Sequence, residues 1–333
     1  MKKILFVFTG GTIGSTVNGE YICTDDNKPY KLIEGYKKRF GDLGDYETVS
    51  PYTLLSENLD GVHICKLIST VKENLFSNYS GIIVTHGTDT LAYSAAALSY
   101  ALGEIQIPVC LVSANYPLED KRSNGYNNLH GAISFIKKVG KGGVWVSYKN
   151  EGELIKIHKG TRICNPLCFS DSVFSVKNSF YGYFDNNEFI LNKNYSEKTD
   201  EFHFGNLSKL LDAKKSILRI ESYPEMKYPV VDSDVKYILL GSYHSGTTNT
   251  VSKEAMTFFE DMKKRGVTIF ITGVGTEIPY ESTKLYDTLG IVPIHCISPI
   301  SAYIKLWFLC SLFSETEKIK NLIIKSLCGD VTE

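Results

Sequence analysis

Two short stretches of this 333-residue chain crowd hydroxyls, glycines and a carboxylate into single turns: Thr9-Gly10-Gly11-Thr12, and His86-Gly87-Thr88-Asp89-Thr90. A threonine hydroxyl is a weak nucleophile until a neighbouring group takes its proton. A threonine in a glycine turn, with a second threonine and an aspartate nearby, therefore suggests a nucleophile. Phosphate chemistry fits poorly. The first turn has glycines at 10, 11 and 14 rather than G-x-G-x-x-G, and no Gly-Lys-Ser/Thr follows. A helix N-cap would account for one Asp or Thr of the second turn. It leaves the other members of the cluster unexplained.

Both turns follow strand-like runs. Ile4 to Phe8, "GIIVTHG" (81–87) and "IPVCLVSA" (107–114) are continuous apolar segments, the pattern of strands covered on both faces by helices. Helical periodicity marks 61–79, with Ile64, Leu67, Ile68, Val71 and Leu75 on one face, and helices also fit 90–102 and 127–140. A polar, asparagine-rich stretch at 185–206 reads as the connection between domains. Strand and helix signals resume at 216–224, 235–246, 252–266 and 267–275, and 301–313 is an apolar helix. The expected fold is α/β in two domains. A larger N-terminal domain (1–190), with a mostly parallel sheet flanked by helices, leads through a linker (191–214) to a smaller parallel α/β domain (215–333). In open parallel sheets ligands bind beyond the carboxyl ends of the strands, where both hydroxyl turns fall.

Composition narrows the classes further. Net charge is −1, with 43% hydrophobic and 22% charged residues, so nothing favours nucleic acid or an anionic membrane as partner. Apolar runs are far shorter than the ~20 residues that span a bilayer. The first strand begins almost at once, which argues against a signal peptide and for a cytoplasmic protein. The eight cysteines sit among apolar neighbours and are expected to be buried free thiols. Cys164 and Cys168 form a C-x3-C pair without a second ligand pair, and no two histidines are spaced as metal ligands. No metal and no cofactor are expected.

With these residues in view, "TGGTIG" (9–14) and "HGTDT" (86–90) resemble the two signature motifs of bacterial-type L-asparaginases, the asparaginase/glutaminase family. The resemblance extends through "GEYICTD" (19–25), "LLSENLDG" (54–61), "VSANYPL" (112–118) and "RSNGYNNLHGAI" (122–133). It implies hydrolysis of L-asparagine to L-aspartate and ammonia through a covalent acyl-enzyme. Thr12 would be the nucleophile, with Tyr21 against its hydroxyl. Thr88 and Asp89 would form the second catalytic cluster, Asp89 also gripping the substrate's α-amino group. Ser56 would bind the α-carboxylate, Glu57 would face the amino group, and the Ala114 carbonyl would meet the side-chain amide. Gly10 and Gly11 would let backbone N–H groups approach a developing oxyanion. The resemblance also implies a homodimer or homotetramer and a small amino-acid substrate.

The chain departs from the family at three positions. Asn165 stands where the family has its catalytic lysine, and an amide cannot accept the proton that a neutral lysine would. The proton would then pass to Asp89, Tyr21 or a water, with Lys159 and Arg162 as the neighbouring cations that could have taken over. The family's C-terminal glutamate would fall near Ile300, and Thr247 in "YHSGT" (243–247) replaces an asparagine. The competing reading is an impaired homologue that binds an amino acid in a regulatory or sensing role.

Overall fold

The computed structural model describes residues 2–332 apart from Thr12, Gly14, Gly19, Glu20, 25–27 and Asn165. For 15–18, 21–24 and 28–30 it describes the backbone alone. Two of the expected catalytic residues, Thr12 and the Tyr21 side chain, lie outside the described residues, as does Asn165. The chain divides into two compact units, Met1–Glu197 and Lys198–Glu333.

The first unit is built on eight strands. In chain order these are β1 (Lys3–Phe8), β4 (Tyr46–Val49), β5 (Tyr79–Thr85), β6 (Pro108–Val112), β7 (Gly143–Tyr148), β8 (Ile155–Lys159), β9 (Gly182–Asp185) and β10 (Glu188–Leu191). A separate antiparallel hairpin, β2 (Ser15–Asn18) and β3 (Tyr21–Thr24), follows β1. The sheet order is β10-β9-β8-β7-β6-β5-β1-β4. From β4 to β7 neighbours are parallel, and β8, β9 and β10 add antiparallel strands at one edge.

The central strands are buried on both faces because helices cover both. Helices α1 (Lys28–Phe40) and α4 (Gly125–Lys138) share one core with Ile4, Phe6, Phe8, Ile83, Cys110 and Val112. The alternate residues Leu5, Val7, Ile82, Val84, Val109 and Leu111 are equally buried. They turn to the opposite face, the side of α2 (Gly61–Asn74) and α3 (Leu91–Leu102). Helix α2 begins at Asp60, whose side chain accepts from His63 N at 3.0 Å, and buries Ile64, Leu67, Ile68 and Val71.

The stretch expected to begin the interdomain connection at 185 instead starts inside the β9–β10 hairpin. Asn186 and Asn187 both have positive φ, 45° and 66°, the conformation a two-residue hairpin turn of matching twist requires. The thiols also differ in part from expectation. Cys110 and Cys296 are buried, Cys65, Cys164, Cys310 and Cys328 are half-buried, and Cys168 is exposed, all unpaired. Among the described residues no helix is long and apolar enough to cross a membrane, and no cluster of His, Cys, Asp and Glu could hold a metal ion.

The second unit carries a four-stranded parallel sheet of β11 (Ile217–Glu221), β12 (Tyr237–Gly241), β13 (Thr268–Val274) and β14 (Ile291–His295), in that spatial order. One face packs on α6 (Lys253–Lys264), where Ala255, Phe258, Phe259 and Met262 meet Ile238, Leu240, Ile269 and Ile271. The short helices α5 (Leu210–Ala213) and α7 (Tyr286–Leu289) precede β11 and β14. After β14 come α8 (Pro299–Leu312) and α9 (Thr316–Ile323). Helix α8 is core on nearly every side, burying Ile300, Ile304, Leu306, Trp307 and Phe308.

It also buries a charge. Lys305 is fully buried beside Asp330, with Nζ 2.9 Å from the carboxylate and donating to Lys325 O. Burial holds the ammonium's pKa below its ordinary value, although Asp330 works to raise it. Asp330 in turn accepts Leu327 N–H at 2.9 Å, and Thr332 N–H donates to Cys296 O. The last residues described are thus tied into the second unit by a buried charge pair as well as by hydrogen bonds and the buried Leu327. Removing one partner leaves the other charged and buried, at a cost of about 3–5 kcal/mol. Asp330→Ala should therefore lower the denaturation midpoint of the second unit sharply in a urea titration; a midpoint unchanged from wild type would refute the clamp.

Candidate functional site

The turn after β1 is held from two sides. Thr9, buried, donates through Oγ1 to Thr85 O at 2.6 Å, joining the carboxyl ends of β1 and β5. On the other side Gly10 pairs with Leu54 as a parallel bridge, Leu54 N–H donates to Thr9 O at 3.2 Å, and Gly11 N–H donates to Leu54 O at 3.0 Å. Gly10 and Gly11 have φ of 95° and 76°, where any other residue is strained. Space excludes a side chain as well. A Cβ on Gly11 would lie 2.2 Å from the Gly87 nitrogen, and one on Gly10 would lie 2.5 Å from Leu54 O. The Gly11 N–H is spent on Leu54 O. What the two glycines supply is close approach of main chain to main chain.

The second turn leans on the first. A Cβ on Gly87 would meet Ser56 Oγ at 2.4 Å and the Gly11 Cα at 3.3 Å. Ser56, buried in the short 3-10 turn Ser56–Asn58, lies with its Oγ 3.4 Å from Asp89 Oδ2. Thr90 occupies the N-cap position of α3, yet its side chain makes no cap bond. Its Oγ1 donates to Ser56 O at 2.9 Å. The ordinary capping role considered for this cluster is therefore not the one Thr90 performs.

His86 holds the same turn from within the core. Its N–H donates to Val112 O, its Nδ1 lies 2.8 Å from Gly87 O, and its Nε2 lies 2.8 Å from Ser94 Oγ. Burial lowers its pKa, so the ring is neutral. One tautomer satisfies both contacts: Nδ1–H donates to Gly87 O and Nε2 accepts from Ser94. Sequence reasoning placed no role on Ser94, since the bond forms only when α3 docks on β5.

Of the residues expected to form the site, Ser56 and Asp89 are in contact, with Thr88 between Gly87 and Asp89. Asp89 and Glu57 are exposed, Thr88 is half-buried, and Ala114, just beyond β6, is fully buried. The two cations near Asn165 have other partners. Lys159 Nζ is 2.6 Å from Glu197 Oε1 and lies over the Trp145 ring. Arg162 donates to Ser196 O at 2.7 Å and stacks on Tyr195. The 3-10 turn Gly160–Arg162 is pressed onto the far half of α3, with Gly160 against Ser99 and Ala95. In the second unit Ile300 is buried core, and Thr247 is half-buried with its hydroxyl on Ser245.

This arrangement makes the contact between the glycines a sensitive point. Gly11→Ala combines a left-handed φ with a main-chain clash that no side-chain rotation relieves. It should lower the melting temperature and remove ligand-induced stabilisation together. A variant that melts and binds like wild type would show that the two turns do not touch as described.

The family profile described as "Asparaginase, N-terminal" matches residues 3–196. Similar curated proteins include a glutamyl-tRNA(Gln) amidotransferase component from Sulfolobus acidocaldarius, 24% identical across 99% of this chain and 76% of that protein. The like-named protein of Saccharolobus solfataricus is 25% identical with the same coverage. Among solved structures, L-asparaginase I from Vibrio cholerae superposes with a TM-score of 0.79 at 20% identity, covering 100% of this chain and 99% of that one. The thermostable L-asparaginase from Thermococcus kodakarensis gives 0.77 at 21% identity, covering 99% of both. At such identities the superpositions speak for the shared fold alone. The profile spans more than half of the chain, and on that ground the protein belongs to the asparaginase family.

Proposed function

We propose that the protein is an amidohydrolase that converts L-asparagine to L-aspartate and ammonia. The observation that carries this reading is the meeting of Gly11, Ser56 and Gly87–Asp89 at the carboxyl edge of neighbouring strands. In this reading Thr12 Oγ attacks the side-chain amide carbon and its proton passes to a neighbouring group. Ammonia leaves on protonation, and water cleaves the resulting ester to free L-aspartate. Ser56 would donate to the α-carboxylate, and Asp89 would supply the charge that an α-ammonium needs. Thr88 and Tyr21 would complete the proton path, Glu57 would face the ammonium from the rim, and the Ala114 carbonyl would accept from the amide. The reading includes a cytoplasmic homodimer or homotetramer with no cofactor.

A second reading has a specific observation in its favour. With Lys159 paired to Glu197 and Arg162 to Ser196, the cations nearest Asn165 are already engaged, which suits a homologue that binds an amino acid and turns it over slowly or not at all. Loss of a general base costs about 10²–10⁴-fold in rate. The curated relatives are named for a glutamyl-tRNA(Gln) amidotransferase, so L-glutamine belongs in any assay beside L-asparagine.

Ammonia release from each amide by the purified protein is the direct test. Release from L-asparagine that disappears in Thr12→Ala, with the melting temperature retained, supports hydrolysis through Thr12. Activity surviving in that variant would place the nucleophile elsewhere. Ligand binding separates the two readings. L-Aspartate should raise the melting temperature by mass action in either case, and Asp89→Ala should abolish that rise. Millimolar amino acids without any effect would overturn both.

Asn165 yields a prediction of opposite sign for the two ways the proton could move. Because Lys159 and Arg162 are engaged elsewhere, Asn165→Lys should restore a base and raise kcat. A fall in kcat, or no change, would mean that another group already does this work.

A further inference from the structure

The loop that carries Ala114 is anchored in a way the family motifs do not reveal. Ala114 C=O and Asn115 N–H belong to one planar trans peptide and point in opposite directions. The chain contains no cis peptide among the described residues. Whatever holds Asn115 N–H therefore sets where the Ala114 carbonyl points.

That N–H donates to Asn124 Oδ1 at 3.0 Å. Asn124 stands at the N-cap of α4, where asparagine ordinarily accepts from first-turn amides, but it makes no cap bond. Both ends of its carboxamide are committed elsewhere, Oδ1 to Asn115 and Nδ2 to Lys149 O at 2.9 Å. The grip is reciprocal. Asn124 N–H donates to Asn115 Oδ1 at 2.9 Å, which also accepts Tyr116 N–H.

The peptide on the other side of Ala114 is held in the same manner one helical turn later. Asn128, fully buried, donates through Nδ2 to Ser113 O at 2.8 Å and accepts Lys149 N–H at 2.7 Å. Both peptide planes flanking Ala114 are thus referred to a single residue beyond β7, Lys149, through two asparagines of the α4 start. A loop that merely connected β6 to α4 would need one such brace. Two braces fix orientation as well as position.

We propose that Asn124 is a positioning residue for amide recognition: by holding Asn115 N–H it aims the Ala114 carbonyl at the substrate's side-chain amide. The inference rests on the amidohydrolase reading and gives that site its preference for an amide over the corresponding acid. L-Aspartate has no side-chain N–H to donate, so it does not use this carbonyl.

The test compares the two ligands. In Asn124→Ala the KM for L-asparagine should rise about tenfold, the worth of one well-made hydrogen bond. The L-aspartate dependence of the melting temperature should stay as in wild type. Equal weakening of both ligands would reduce Asn124 to general support of the loop and overturn the proposal. Should Asn124→Ala not fold, Asn124→Gln displaces the acceptor by one methylene and carries the same comparison. A wild-type protein indifferent to both ligands overturns the amidohydrolase reading itself, and this inference falls with it. A responsive wild type with an unaltered Asn124→Ala overturns the inference alone.

Discussion

The first unit's site depends on a contact between two stretches of bare backbone. Gly11 lies so close to the Gly87 main chain that it could not carry a methyl group, and Ser56 occupies the space a methyl on Gly87 would need. Below this contact, Thr9 and Thr85 are joined by a side-chain bond between adjacent strands. The turns after β1 and β5 consequently move as one body. A shift of either would open a gap in which buried polar groups lose their partners, and such losses cost more than the bonds contribute when made. Thr9 and Thr90, whose hydroxyls bond to Thr85 O and Ser56 O, share in that fixed arrangement.

Polar groups around the contact are used with little redundancy. Thr90 gives up helix capping to hold Ser56, and the neutral His86 links Gly87 to Ser94. Asn124 gives up capping to hold the Ala114 loop. Thr90 and Asn124, which would ordinarily cap their own helices, each serve a neighbouring turn instead. The substitutions most damaging to the site are therefore expected at positions that would touch no substrate.

The parts legible in the sequence were those decided by local pattern. Continuous apolar runs marked β1, β5 and β6, and the 3.6-residue period marked α2, because burial on two faces or on one leaves a direct trace in residue order. Both glycine turns were visible for the same reason. The hairpin of β9 and β10 was not, since Asn186-Asn187 is a turn signal only between two strands that pair, and the surrounding polarity suggested a linker. The braces from Asn124 and Asn128 were invisible too. Each bond spans from 9 to 25 residues and exists only once α4 has docked beside β6 and β7.

The same distinction bears on the missing lysine. Sequence proximity made Lys159 and Arg162 natural substitutes, yet proximity along the chain did not fix where their charges went. Burial raises the Glu197 pKa, and Lys159 with Tyr195 more than offsets it, leaving the carboxylate ionised below its ordinary range. Withdrawing Lys159 to serve the threonines would strand that carboxylate in a half-buried pocket beside Trp145 and Tyr195. The Lys159–Glu197 pair is thus held where it stands, and its lysine is not free to serve the threonines. In the proposed reading, then, the base that a lysine at position 165 would restore is supplied by neither neighbouring cation.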